Sequence, residues 1–276
     1  MIVMYSPLLA AHSIQEGPYM RNRIDIKLEA KSILRANLLP LLTATALVLV
    51  TAEVLTRIVN LLTYGTLVPE LQQFQYLLRD DPLYGVDPAA FEAATTLVAR
   101  NTSAAYFFSI LTALFLAVLW GGYYLYCMGV RQGMQMPYST LFDGLAVAGR
   151  LIWCQILVWV FAFLWSMLFF FPGIIAVYRY RFAFYNILTD HTLSANQAIS
   201  LSCKQTRGRK MDLFVLDLSF LGWNILSSMT LGLLDIWVRP YMTLCALEYF
   251  AQAQLDMGRP PYGSSVSMGE DPWSTE

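Results

Sequence analysis

The stretch LLPLLTATALVLVTAEVLTRIVNLL, residues 38–62, decides the fold. No charge occurs from Ala36 to Ala52, and a helix needs about 20 mostly apolar residues to cross a bilayer. The first charges, Glu53 and Arg57, stand four residues apart, where they pair on one helix face. Working outward, segments of the same kind cover 104–128, 151–171, 174–188, 213–229 and 235–255. The 276 residues are 57% hydrophobic and only 13% charged, with a mean hydropathy of +0.50. Soluble domains carry roughly 25% charged residues. One soluble core does not absorb this much apolar sequence, so the surplus faces lipid. The expected fold class is all-α, a polytopic transmembrane bundle of six spans forming one membrane domain over residues 20–257.

Between the spans the sequence is punctuated. From Asn22 to Arg35 a short amphipathic helix is expected, with Ile24, Leu28 and Ile33 on one face and Lys27, Lys31 and Arg35 on another. Residues 64–103 are polar, contain Pro69, Pro82 and Pro88, and leave room for surface helices at 70–78 and 88–100. In the second span Ala113, Ala117 and Gly121 repeat small residues every four positions, the pattern that lets helices approach closely in lipid. Residues 131–150 read as a loop. Pro172-Gly173 reads as the end of the third span. Ser194 and Gln197 form a capping box, so a helix is expected to start at Ala195 and stop near Gly208. Thr230-Leu231-Gly232 is a tight turn between the last two spans. The tail, 258–276, is rich in Pro, Gly and Ser and is expected to be disordered. At the other end, Met20-Arg21-Asn22-Arg23 resembles a natural start, so 1–19 is expected to be an upstream extension or a mis-called start.

Orientation follows from Lys and Arg near the span ends. Arg21, Arg23, Lys27, Lys31, Arg35, Arg131, Arg150, Lys204, Arg207, Arg209, Lys210 and Arg259 fall on one side. Only Arg79 and Arg100 fall on the other, among Glu70, Asp80, Asp81, Asp87 and Glu92. The basic side, with both termini, is expected to be the cytoplasm and the membrane the cell membrane.

Several segments together resemble domain-of-unknown-function family 975, a group of bacterial integral membrane proteins. They are Arg23 to Lys31, Tyr138 to Gly144 with its Phe142-Asp143-Gly144, Phe163-Leu164-Trp165-Ser166 running to Pro172-Gly173-Ile174-Ile175, Leu213 to Trp223, and Pro240-Tyr241. The resemblance runs over roughly residues 20 to 255, through the order and spacing of these elements. It departs from the usual pattern in the first nineteen residues, in the polar tail, and in Arg179-Tyr180-Arg181. What it implies is architecture and little chemistry.

Ionisable groups within spans are costly, about 2.5–3.5 kcal/mol each at a helix centre. Arg179, Arg181, Asp217 and Glu248 are the candidates, with Arg179 or Arg181 facing Asp217 or Glu248. Beside Tyr178, Tyr180 and Tyr185, the arginines read either as a site for an anion such as a lipid phosphate or as structural ion pairs that fix packing. Asp235 and Arg239 are one turn apart near the outer interface. Lys204, Arg207, Arg209 and Lys210 read either as a lipid-headgroup site or as charge that orients the spans.

No Ser/His/Asp order, HExxH or phosphate loop is present. Cys127, Cys154, Cys203 and Cys245 have neither CxxC nor metal spacing and read as free thiols. No cofactor, metal or nucleic acid is expected. Two functional expectations follow. One is a non-enzymatic membrane scaffold or accessory component that packs against lipids, other membrane proteins or its own copies. The other is a transporter or lipid-handling protein using the Arg/acid site. The first expects the charges to be sealed, the second expects them to face a cavity.

Overall fold

A computed structural model describes residues 23–64, 88–168 and 170–259. The extension at 1–19, the surface helix at 70–78 and nearly all of the tail at 258–276 lie outside the described residues. Among those described, regular structure is entirely helical.

Helix α1, Arg23–Ala36, leads through Asn37 into α2, Leu38–Tyr64, which keeps Pro40 in its first turn, where a missing amide costs nothing. Helix α3, Pro88–Arg131, is a single 44-residue helix, so the expected surface helix at 88–100 and the second span are one element. After α3 come a 3-10 helix, Tyr138–Val147, then α4, Ala148–Leu168, and α5, Phe170–Arg179. Next are α6, Ala183–Thr189, and α7, Ala195–Gln205, followed by α8, Lys210–Met229, and α9, Asp235–Leu255. The α8–α9 turn uses positive φ at Leu231 and Gly232.

Helix α9 is the hub, with every residue from Thr243 to Ala251 buried. It packs against α1, α2, α3, α7 and α8. Arg131 reaches Glu248, and the Arg239 guanidinium lies 5.4 Å over the Trp120 ring, so α3 and α9 run parallel. The buried Thr45 hydroxyl spends its proton on the Leu41 carbonyl, so Tyr123 is the donor across their 2.9 Å contact. With Tyr126 donating to the Pro40 carbonyl, this sets α2 antiparallel to α3. Ser227 meets Asp235 and Arg209 meets Asp256, so α8 is antiparallel to α9. Leu38, Arg131, Lys210 and Leu255 therefore stand at one end of this four-helix set.

Several expectations are corrected here. The 131–150 stretch is not a plain loop. Its 3-10 helix lies directly on the α3 backbone, where a Cβ on Gly122 would sit 1.9 Å from the Leu141 carbonyl oxygen and one on Gly144 2.4 Å from that of Val118. The small-residue stripe is used at Gly121, where Leu151, Phe184 and Leu188 close in. Pro172-Gly173 does not end a helix but lies inside the start of α5, because Gly173 lets α5 fold back onto Ser166 of α4. Phe161 then meets Tyr180 at 5.9 Å, so α4 and α5 are antiparallel. The 174–188 segment is not one helix, since Tyr180 to Phe182 break it. In α1 the buried residues are Ile26 and Ala30, with Ile33 partly covered, while Ile24 and Leu28 are exposed.

Among the described residues, three helical stretches are long and apolar enough to cross a membrane: Leu38–Leu61, Ala105–Arg131 and Tyr138–Met167. Helices α8 and α9 carry more charge, and Asp217, Asp235, Arg239 and Glu248 among them each have a partner, as follows.

Candidate functional site

Two bidentate ion pairs tie helices together inside the bundle. Arg181, in the α5–α6 break, grips Asp217 of α8 with both terminal nitrogens, one contact measuring 2.9 Å, and its guanidinium lies 5.9 Å from the Tyr178 ring. Glu248 of α9 is 3% exposed and accepts from Arg131 Nε at 2.5 Å and Nη2 at 3.0 Å. Charges removed from water are tolerable when paired in this fork geometry.

Of the four residues singled out from sequence, the structure thus brings Arg181 and Asp217 together and separates the other two. Glu248 pairs with Arg131, which sequence reasoning had counted only as a loop charge. Arg179 is exposed and donates to the Cys203 sulfur at 3.0 Å. The expected Glu53–Arg57 pair forms at 2.7 Å, and Asp235 and Arg239, one turn apart, pair at 3.1 Å. In the basic segment Arg209 pairs with Asp256, while Lys204 and Arg207 stay exposed.

The break itself is closed by a neighbour. Interrupting a helix frees backbone groups that, once buried, must find partners elsewhere. Ser202 of α7 accepts the Phe182 amide at 3.1 Å and donates to the Arg179 carbonyl at 2.9 Å. Behind it, the amides of Asn186 and Gln205 exchange hydrogen bonds at 2.8 and 3.0 Å, both side chains buried. These residues were not singled out from sequence, since Ser202 is twenty positions from the amide it meets.

Beside the Arg131–Glu248 pair, a cavity lined by Met128, Leu247, Phe250 and Gln254 has a volume of about 10 Å³, room for one water at most. His191, in the turn before α7, is pushed below the usual imidazole range, first by burial and then by Arg150. The cysteines are free thiols, and no group of three metal-ligating side chains occurs among the described residues.

The family model described as "Protein of unknown function (DUF975)" matches residues 171–254. The match covers 84 of the 276 residues and supports the resemblance to that family. The DUF975 match takes in the α5–α6 break, α7, α8 and most of α9, hence Arg181, Asp217 and Glu248 but not Arg131. The elements at Arg23–Lys31, Tyr138–Gly144 and Phe163–Ser166 that resemble the family lie outside it. No curated protein and no solved structure matches the chain.

Proposed function

We propose that this chain is a six-span membrane protein without chemistry of its own, a scaffold or accessory component that packs against lipid and other membrane proteins. The observation that carries the reading is that the charges within the bundle close on each other. Arg181 is spent on Asp217 and Arg131 on Glu248, and the space beside the second pair admits no more than a water. Large apolar side chains point outward on α2 (Val50, Val54), α3 (Phe107, Leu111), α4 (Phe163, Leu164) and α8 (Leu218, Leu221), as lipid contact requires.

The path of the chain accommodates six spans. The chain leaves one end of the four-helix set at Arg131 and returns to it at Lys210. Helix α4 and the antiparallel α5–α6 segment therefore cross together or not at all, and the last two spans keep their direction either way. The charge count favours the cytoplasm for this end.

A transporter or lipid-handling protein is the second reading, favoured by one feature: a discontinuous helix with an arginine at its break, the arrangement from which intramembrane ligand sites are built. Charge exchange separates the two. R181D and D217R are each expected to lower apparent melting in detergent, and the R181D/D217R double variant to recover it. A double variant that melts like the parent but abolishes uptake or retention of an anionic solute by proteoliposomes would sink the scaffold reading.

A further inference from the structure

We infer that the α7–α8 turn and the outer face of α8 form a binding site for an anionic phospholipid, an inference that rests on the membrane reading above. The turn is basic, but its charges are not equivalent. Arg209 is taken by Asp256, and Asp212 in the first turn of α8 faces Arg23 at 3.6 Å. That leaves Lys204 and Arg207 exposed and Lys210 half-buried, none of them paired with a carboxylate among the described residues. Three uncompensated cations thus gather within seven residues at the foot of a helix.

Directly beyond them the chemistry changes. Met211, Phe214, Leu218, Leu221 and Ile225 are all exposed and follow one another at helical spacing, one continuous stripe. At 1.5 Å per residue the stripe is ~21 Å long. A cationic foot under an apolar stripe of that length matches a phosphate headgroup with its acyl chains laid along the helix. A soluble anion would satisfy the turn and leave the stripe bare, and a neutral lipid would cover the stripe and leave three charges unanswered. A bilayer phospholipid with net negative charge answers both. The site differs from the Lys204, Arg207, Arg209, Lys210 set drawn from sequence in excluding Arg209 and including the α8 stripe.

Native mass spectrometry of the detergent-purified full chain, titrated with phosphatidylglycerol, tests this. The K204Q/R207Q/K210Q variant is expected to lose affinity on the order of a hundredfold. Phosphatidylcholine of the same acyl chains should bind weakly and equally to both proteins, and R57Q, which removes an exposed charge on α2, should bind phosphatidylglycerol as the parent does. Unchanged affinity in the triple variant, with an unchanged melt, would overturn the site. Displacement of the lipid by equimolar inorganic phosphate would overturn it too, assigning the turn to a soluble anion. Carbonate extraction of membranes keeps the two proposals apart. A parent that washes off overturns the membrane reading and this inference with it, whereas a parent that stays, with a triple variant that binds normally, overturns this inference alone.

Discussion

The contact between α3 and the 3-10 helix and the contact between α6 and α7 hold the bundle together by opposite means. In the first, two backbones touch. Gly122 faces the Leu141 carbonyl and Gly144 faces that of Val118, at separations no side chain would permit. In the second, side chains stand between the backbones, with Ser202 bonded to both sides of the α5–α6 break and Asn186 locked to Gln205. The difference follows from the hydrogen-bond ladder. Helix α3 is unbroken, its polar groups are satisfied internally, and closeness there gains dispersion at no polar cost. The α5–α6 ladder is interrupted, so polar side chains must enter to replace it. One contact is broken by adding atoms and the other by removing them.

The largest effect is expected from G122A. Its methyl carbon would sit 1.9 Å from the Leu141 carbonyl oxygen, and backbone cannot rotate away as a side chain can, so the cost is about 3 kcal/mol or more. G149A is the matched control: nothing lies within 4 Å of its new Cβ, and it sits in the first turn of α4, where alanine is the better helix former. Apparent melting in detergent should fall steeply for G122A and stay or rise for G149A. Equal behaviour would mean that the α3 contact is looser than its geometry. S202A comes next. It strands the buried Phe182 amide, at about 2 kcal/mol. Methyl-for-hydroxyl loss there should also speed hydrogen exchange at Phe182, which G122A need not do.

The same contrast explains what the sequence made legible. The capping box at Ser194 and Gln197 is local chemistry, and α7 begins at Ala195 as read. The bounds of α9 follow from apolar run and turn, and Arg181 with Asp217 was among the pairings that intramembrane charge alone suggests. Glu248 was misassigned because its partner Arg131 lies 117 residues away and looked like topogenic charge at a span end. The 3-10 helix lies within the 131–150 stretch that reads as a loop, and it contains Gly144. Here the glycine marks close approach to another backbone, a fact that exists only in three dimensions. The α5–α6 break shows locally only in Arg179-Tyr180-Arg181, since the residues that satisfy its backbone, Ser202 and Thr206, lie more than twenty positions on. Charge also hides α8 and α9 from any test of apolarity. Helix α9 is sheathed in protein from Thr243 to Ala251 and need not be as apolar as α2, whose outer face is exposed.

The smallest effect sharpens the comparison most, because it separates two roles of α7. Ser194 accepts the Gln197 amide at the exposed start of α7, while the Gln197 side chain accepts the Ser194 amide, a reciprocal cap in which each partner serves the other. S194A removes one half of it, and the expected loss is about 1 kcal/mol, the ordinary cost of an N-cap at an exposed helix end. Ser202 stands two turns further along the same helix, where the amide it serves is buried and water cannot substitute. If α7 matters chiefly as a brace for the broken helix, S202A must cost more than S194A, and the double variant must cost about their sum, since the two groups share no partner. Should S194A melt as low as S202A, the helix would be held by its own cap rather than by the break. The polar contact would then be a consequence of where α7 docks, not the reason it docks there.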